Sequence, residues 1–254
     1  MVEDKKFAYL GFGRAGKECL EILLELGAPK ENILVITYEH SENEIFLSFL
    51  QENEISFSVK CIKEESTFLH IKEFSPDLML SIHFRDIIPK KILELSKNPG
   101  INLHPSLLPL YSGCLATMWV IINGDTKTGV TYHYMTPKVD EGNILIQKEI
   151  TIDDKATGES MFNYAIDVGV AHFKEALFLA LDNHEGTKQE GERTYYSRDI
   201  PFRGLIDPHW SNERVERFIR AFVFEGKPYA KLSVKGQLME VPTFERYLEL
   251  KATL

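Results

Sequence analysis

Residues 7–27 are FAYLGFGRAGKECLEILLELG, an apolar run followed by a glycine-rich turn and a segment with helical periodicity. In the periodic segment, apolar residues recur every three or four positions and so share one helix face: Ala15, Cys19, Ile22, Leu23 and Leu26. Gly27 and Pro29 favour the end of this helix. The stretch therefore predicts a strand, a tight turn and a helix.

The same alternation continues along the chain. Apolar runs NILVIT, SFSVKCI and DLMLSI alternate with helix-like segments at residues 41–53, 64–74 and 89–96. This pattern is typical of α/β proteins, and it predicts a Rossmann-like, mainly parallel sheet with helices on both faces. The further predicted elements are a strand at GINLH, a helix at residues 115–123, strands at TGVTYHYM and NILIQKEITI, and a long helix at residues 157–182.

Composition changes after Asn183, where NHEGTKQEGERTYYSRD is polar and rich in turn-forming residues. We therefore expect a large domain at residues 1–188 and a small α+β extension at residues 189–254. The extension contains a predicted helix, SNERVERFIRAF, and two strand-like runs that form a predicted β-hairpin across KGQ. A segment of this size buries little core, so it should pack on the main domain or on a partner subunit.

Length, composition and charge restrict the class of protein. The chain has 254 residues, of which 44% are hydrophobic, and its net charge of −9 leaves no basic surplus for binding a phosphate backbone. No apolar run approaches the roughly 20 residues of a membrane helix, and MVEDKKFAYL lacks a signal-peptide pattern, so we expect a cytoplasmic protein. Cys19, Cys61 and Cys114 are scattered, which predicts reduced thiols with neither disulfide nor metal.

The turn GFGRAG, residues 11–16, satisfies the GxGxxG pattern of dinucleotide-binding loops. Glu39 lies near the end of the next predicted strand, where an acidic residue binds ribose in such proteins. This context suits an NAD-dependent oxidoreductase. Glycines are equally expected wherever a tight strand-to-helix turn needs positive φ or close packing, so the motif alone leaves both interpretations open.

A second motif, GINLHPSLLPLYSG at residues 100–113, places two polar side chains on one face of a strand. Asn102 and His104 are two residues apart, and Pro105 disfavours a helical conformation for His104. The carboxyl ends of the strands are the edge where open α/β sheets bind ligands. An amide can donate a hydrogen bond to a developing oxyanion, and an imidazole can accept a proton from an amine near neutral pH. The pair therefore predicts acyl transfer.

A lone histidine is more often a satisfied core residue than a catalytic group. A third group that orients the imidazole would favour the catalytic interpretation. Asp140, in the loop TPKVDEG between two predicted strands, is the candidate, because an adjacent carboxylate favours the imidazolium and fixes its orientation.

The segments NLHPSLLPLYSG and NGDTKTGVTYHYMTPKVDEGNILIQ resemble the folate-dependent formyltransferase family. This family includes glycinamide ribonucleotide, methionyl-tRNA and nucleotide-sugar N-formyltransferases. With PDLMLSIHFRDIIPKKIL, the resemblance extends through most of residues 7–180. It implies that 10-formyltetrahydrofolate donates a formyl group to a primary amine, without a metal.

The resemblance also implies roles for particular residues. The catalytic set of the family falls on Asn102, His104 and Asp140, which would stabilise the oxyanion, transfer protons and orient the imidazole. The pterin of the folate would contact the backbone of two loops, whose residues here are Arg85, Asp86, Ile87, Ile88, Val139 and Asp140. The GFGRAG turn would border the acceptor side without binding nicotinamide, with Arg14 as a candidate anion contact.

Three acceptors are compatible with the resemblance. Methionyl-tRNA enzymes carry a larger nucleic-acid-binding C-terminal domain, and glycinamide ribonucleotide enzymes end soon after the helix that matches residues 157–182. Nucleotide-sugar enzymes are most similar, both in SIHFRDIIPKKIL and in an extension that begins like YYSRDIPFRGLID. We therefore expect formylation of a nucleotide-linked amino sugar, such as dTDP-4-amino-4,6-dideoxyglucose, for bacterial surface polysaccharide (lipopolysaccharide O-antigen) synthesis.

The extension contains candidate groups for binding the nucleotide. Arg198 and Arg203 suit a diphosphate, and Tyr195 suits a pyrimidine base. The alternative is a solvated arginine-rich turn over a small aromatic cluster. In sugar formyltransferases a C-terminal strand pair often contributes to a dimer, so the resemblance implies a homodimer, with no nucleic-acid or membrane partner.

Overall fold

The structure is a computed structural model that describes residues 2–254, and the chain divides into two compact units. The first unit consists of three segments, which end at His104, Lys148 and Gly191. The second unit contains Pro105–Gly129, Glu149–Ala165 and Glu192–Leu254. The second unit thus includes the predicted extension from residue 192 onwards and two earlier segments of the chain. The functional division at residues 1–188 and 189–254 stays a prediction.

The strands and helices follow the predicted alternation. The strands are β1 (Phe7–Gly11), β2 (Ile33–Ile36), β3 (Phe57–Ser58), β4 (Leu78–Ile82), β5 (Ile101–His104), β6 (Ser112–Gly113), β7 (Lys127–Tyr134), β8 (Ile144–Thr151), β9 (Tyr195–Tyr196), β10 (Lys231–Val234) and β11 (Gln237–Glu240). The helices are α1 (Gly13–Glu25), α2 (Glu44–Glu52), α3 (Glu65–Phe74), α4 (Lys90–Leu93), α5 (Ala116–Asn123), α6 (Gly158–Ala171), α7 (Phe173–Leu181), α8 (Asn212–Ala221) and α9 (Phe244–Lys251).

Seven strands form one sheet in the order β3-β2-β1-β4-β5-β7-β8. The pairs from β3 to β5 are parallel, and β5 pairs with β7 in the antiparallel direction. Every residue of β1, β2 and β4 is buried, as expected for central strands that are covered on both faces. The predicted mainly parallel α/β fold is confirmed.

Several predicted boundaries differ from the structure. The helix predicted at residues 157–182 is interrupted at His172, whose backbone leaves helical geometry and whose Nδ1 lies 2.8 Å from the carbonyl oxygen of Val168. The third predicted strand shortens to β3, and the helix predicted at residues 89–96 shortens to α4. Helix α9 was not predicted, although Thr243 caps its first turn by accepting a hydrogen bond from the Arg246 N–H.

The second unit contains its own aromatic cluster and a hairpin. Helices α5 and α8 pack against each other, and the ring of Phe202 contacts those of Trp119, Trp210 and Phe218. Strands β10 and β11 form an antiparallel hairpin across Lys235 and Gly236, which both have positive φ. The predicted C-terminal hairpin is confirmed. Over residues 2–254, the structure contains no helix long and apolar enough to cross a membrane.

Candidate active site

A row of polar side chains crosses three neighbouring strands near their ends. Ser81 in β4 pairs with Asn102 in β5, and Asn102 pairs in turn with His133 in β7. Because residues opposite each other in adjacent strands project to the same face, this register brings the three side chains together. The Ser81 hydroxyl donates a 2.7 Å hydrogen bond to Asn102 Oδ1, and Asn102 Nδ2 lies 3.2 Å from His133 Nε2.

The structure brings His104 and Asp140 together, as their predicted roles require. His104 Nδ1 lies 3.5 Å from Asp140 Oδ2, and the two side chains are only 5% and 10% exposed. The second oxygen of the carboxylate, Oδ1, lies 3.5 Å from His133 Nε2. Asp140 is therefore placed between two imidazoles, in buried surroundings that strengthen its electrostatic influence on His104.

The loop that carries Asp140 is held in an unusual backbone conformation. Asp140 has a φ of 55°, in the left-handed region that aspartate tolerates better than most residues. The Gln189 side chain donates hydrogen bonds to the carbonyl oxygens of Asp140 (2.7 Å) and Gly142 (2.8 Å). A Cβ at position 142 would lie 1.8 Å from the Tyr134 carbonyl oxygen, so only glycine fits there. These contacts fix the carboxylate relative to β7.

Together these groups suit acyl transfer to an amine. The Asn102 amide is a hydrogen-bond donor for an oxyanion, His104 can accept and release a proton, and Asp140 stabilises the imidazolium. Within residues 2–254, no three His, Cys, Asp or Glu side chains form a group that could hold a metal ion. Ser81 and His133, which contact Asn102 directly, were not among the site residues predicted from the sequence.

Comparison with known proteins identifies the family. The sequence profile described as Formyl transferase matches residues 28–177. Over 241 residues, the chain is 36% identical to GDP-perosamine N-formyltransferase of Brucella melitensis. The alignment covers 94% of this chain and 93% of that protein. This chain is a formyl transferase. The predicted family and the predicted formyltransferase activity are confirmed.

Two further relatives bear on the fold and on the range of acceptors. This formyl transferase is 30% identical to methionyl-tRNA formyltransferase of Alkaliphilus oremlandii, over 93% of this chain and 83% of that protein. The crystal structure of the N-formyltransferase from Helicobacter canadensis, in complex with folinic acid and dTDP-3-aminofucose, shares the fold with a TM-score of 0.76. The two chains are 22% identical, and the match covers 92% of this chain and 86% of the Helicobacter canadensis chain.

Two side chains of Arg85–Ile88, the loop predicted to contact folate, bind other side chains of the first unit. The Arg85 guanidinium forms a 2.9 Å ion pair with Glu42 and lies 4.6 Å from the ring centroid of Phe12. Asp86 accepts a 3.0 Å hydrogen bond from the Tyr38 hydroxyl, whose pKa is raised by burial and then by the charge of Asp86. These bonds hold the loop in place through its side chains. Ile87 is 60% exposed, whereas Ile88 is buried.

The partly buried His83, next to this loop, gives this formyl transferase an acid-sensitive element. Burial lowers the pKa of His83 from 6.5 to about 4, and the positive charge of Arg85 acts in the same direction. The unfolded state therefore binds this proton first, and the stability contributed by neutral His83 is present above pH 6.5 and is lost as the pH falls towards 4.

We expect wild-type protein to lose about 2 kcal/mol more unfolding free energy between pH 7 and pH 5 than a His83→Asn variant does. Asparagine tolerates the positive φ of 56° at this position. Denaturant titrations of both proteins at each pH measure the difference. Parallel losses in the two proteins would show that His83 titrates normally.

The glycine turn of this formyl transferase is closed by a buried asparagine. Asn43 Oδ1 accepts a 2.7 Å hydrogen bond from the Gly13 N–H, a donor that a dinucleotide phosphate would otherwise use at the start of α1. A Cβ at Gly11 would lie 2.6 Å from Tyr9, so this glycine is needed for close packing. Glu39 is exposed beyond the end of β2. The geometry favours the structural interpretation of GFGRAG over the NAD interpretation.

The predicted acceptor-binding residues lie in different parts of the chain. Arg14, in the first unit, forms ion pairs with Asp167 (2.6 Å) and Glu18 (3.4 Å). Tyr195, Arg198 and Arg203 belong to the second unit and are exposed there. Their role in binding the acceptor stays a prediction.

A neighbouring tyrosine is less accessible than Tyr195. The ring of Tyr196 stacks on both Tyr111 and Trp119, so it is part of the aromatic cluster, whereas Tyr195 remains 53% exposed. Of these two rings, Tyr195 is therefore the better candidate for stacking on a base.

Proposed function

We propose that this formyl transferase moves a formyl group from 10-formyltetrahydrofolate to the primary amine of a nucleotide-linked amino sugar. The observation that carries the proposal is a polar cluster in a member of this family, in which His104 lies 3.5 Å from Asp140 and Asn102 lies 3.2 Å from His133, the other imidazole beside Asp140. The near full-length similarity to a protein named for a GDP-linked amino sugar supports this class of acceptor.

The chemistry requires three functions from the protein. As the amine nitrogen attacks the formyl carbon, the Asn102 amide donates a hydrogen bond to the oxygen that becomes negative. His104 accepts the proton that the amine loses, while Asp140 holds His104 through Nδ1 and stabilises its positive charge. The bond between the formyl carbon and N10 of the folate then breaks, and N10 takes up a proton. The products are the formamide and tetrahydrofolate.

Folate recognition is proposed for two loops of the first unit. These are Arg85–Ile88 and the segment Val139–Asp140, whose positions are set by the Glu42, Tyr38 and Gln189 contacts. A relative with the same fold has been crystallised with folinic acid. Exposed Ile87 offers an apolar surface on which a pterin ring can pack.

The nucleotides to be tested in the acceptor should include GDP as well as dTDP and UDP. The 36% identical relative is named for a GDP-linked sugar, and the crystallised relative contains a dTDP-linked sugar. A methionyl-tRNA acceptor is suggested by the 30% identical relative, but a net charge of −9 gives no overall electrostatic attraction for nucleic acid.

The test is an acceptor panel with purified protein. It supplies 10-formyltetrahydrofolate with GDP-, dTDP- and UDP-linked amino sugars, glycinamide ribonucleotide and methionyl-tRNA, and it measures tetrahydrofolate release and the mass of each product. The proposal predicts rapid formylation of at least one nucleotide sugar. Turnover confined to glycinamide ribonucleotide or to methionyl-tRNA would contradict it.

For the nucleotide diphosphate, we expect Arg198→Ala and Arg203→Ala each to raise the acceptor KM by about tenfold or more, because each removes a charge-assisted hydrogen bond. The folate KM should remain within about twofold, since the pterin is assigned to other loops. Initial rates with each substrate varied in turn measure both constants. Arg246→Ala, which removes a partly exposed arginine paired with Glu249 in α9, is the matched control.

A larger effect on the folate KM than on the acceptor KM would place the diphosphate elsewhere. A homodimer formed through the β10–β11 hairpin, a cytoplasmic location and a role in surface polysaccharide synthesis stay predictions of this proposal.

A further inference from the structure

We infer that Ser81 and His133 are positioning residues that fix the orientation of the Asn102 carboxamide, so that its nitrogen can serve the developing oxyanion. The inference rests on the proposed role of Asn102. It concerns two residues outside the predicted catalytic set, and it follows from the hydrogen bonds at each end of one amide group.

The contacts of His133 determine which ring nitrogen carries the proton in its neutral form. His133 Nδ1 lies 2.9 Å from the Tyr134 carbonyl oxygen, which can only accept a hydrogen bond, so Nδ1 carries a proton. In the neutral imidazole, Nε2 is then an acceptor. Asn102 Nδ2, at 3.2 Å, is the donor that Nε2 needs.

Ser81 forms a hydrogen bond with the other end of the same amide. Its hydroxyl donates to Asn102 Oδ1 at 2.7 Å, and Ser81 is only 3% exposed. Rotating the amide by half a turn would place Oδ1 against the Nε2 lone pair, an unfavourable arrangement of two acceptors in a buried site. The acceptor nitrogen of His133 therefore selects the orientation of the amide, and the Ser81 hydroxyl satisfies the Oδ1 that this orientation turns towards it.

The selected orientation matters for catalysis. An amide nitrogen has two N–H bonds, so after one hydrogen bond to His133 a second N–H remains for the oxyanion. The reversed amide would offer the oxyanion an oxygen and repel it. His133 Nε2 also lies 3.5 Å from Asp140 Oδ1, so the same imidazole lies beside the carboxylate that orients His104.

The decisive variant is Ser81→Ala, tested alone and combined with Asn102→Ala. We expect Ser81→Ala to lower kcat by about tenfold, with both KM values within about twofold, because only the transition state uses the oriented N–H. In the Asn102→Ala background, Ser81→Ala should cause no further loss, since no amide remains to be oriented. For the slow variants, mass spectrometry of the product after long incubation measures turnover.

Three controls separate positioning from simple stabilisation. Thr67→Val removes another buried hydroxyl of the first unit, which donates to the Cys61 carbonyl, and should leave kcat unchanged. Ser81→Cys keeps the shape and a weak S–H donor, so its kcat should lie between those of wild type and Ser81→Ala. His133→Phe keeps an aromatic ring without the acceptor and should show the same non-additivity with Asn102→Ala.

The possible failures are distinguishable. If Asn102→Ala itself retains wild-type turnover, the proposed function of this site is wrong. If Asn102→Ala loses turnover while Ser81→Ala retains it, or if Ser81→Ala reduces kcat equally in both backgrounds, only the orientation inference is wrong.

Discussion

His104→Ala should lower kcat by about 100-fold or more, because the variant loses the group that accepts the proton of the attacking amine. The imidazole is 5% exposed and its Nδ1 lies 3.5 Å from Asp140, whose carboxylate stabilises the imidazolium that forms when His104 accepts the proton. Stopped-time assays of tetrahydrofolate release at saturating concentrations of both substrates measure kcat.

The effect of His104→Ala should be confined to turnover. Folate binding, followed by fluorescence titration, should change by no more than about threefold, since the folate loops are held by other contacts. His70→Ala, which removes an exposed histidine on α3, serves as the matched control and should behave as wild type. A folded His104→Ala protein with wild-type kcat would remove His104 from the catalytic set.

Asp140→Asn should also lower kcat by about 100-fold, although the substitution changes almost no volume. Asparagine is neutral and cannot stabilise the imidazolium that forms when His104 accepts a proton. The positive φ at position 140 is compatible with asparagine, so the loop should keep its conformation. Steady-state kinetics give the loss, and thermal unfolding tests whether the fold is retained.

Asp182→Asn, which neutralises an exposed carboxylate at the end of α7, is the control for Asp140→Asn. It should retain wild-type kcat. If Asp140→Asn also retained wild-type kcat in a folded protein, the carboxylate would have no electrostatic role, and His104 would be oriented by its other neighbours.

Local sequence patterns predicted the central strands of the sheet and the first helix. Continuous apolar runs predicted the buried strands β1, β2 and β4, and the spacing of Ala15 and Cys19 predicted α1. The break at His172 was missed because both α6 and α7 keep a helical pattern of apolar residues. Helix α9 carries a recognisable capping threonine, so a search for N-caps would have detected it.

The site was only partly predictable, because its contacts depend on strand register. The spacing of Asn102 and His104 places them on one face of a strand, and the family resemblance identified Asp140. Ser81 and His133 join them through the parallel β4–β5 and antiparallel β5–β7 registers. Neither register can be derived from one local segment. A polar histidine within the apolar strand TGVTYHYM was nevertheless a usable signal.

The GFGRAG motif illustrates how a distant residue changes the interpretation of a local one. The turn has the spacing of a phosphate-binding loop, but Asn43 accepts a hydrogen bond from the Gly13 N–H. Asn43 also donates to Thr37 Oγ1 (2.8 Å) and to the Tyr38 carbonyl oxygen (2.6 Å), so its side chain is fixed in that position. The sequence between Gly13 and Asn43 contains no pattern that predicts this contact.

The most direct test of the central claim is the turnover number of an Asn102→Ala/His104→Ala double variant, measured with 10-formyltetrahydrofolate and the acceptor that the panel identifies. Groups that act together in one transition state are not additive, so kcat should lie about 100-fold or more below wild type, close to the slower single variant. A purified, folded double variant with near wild-type turnover would contradict the assignment of these residues to formyl transfer.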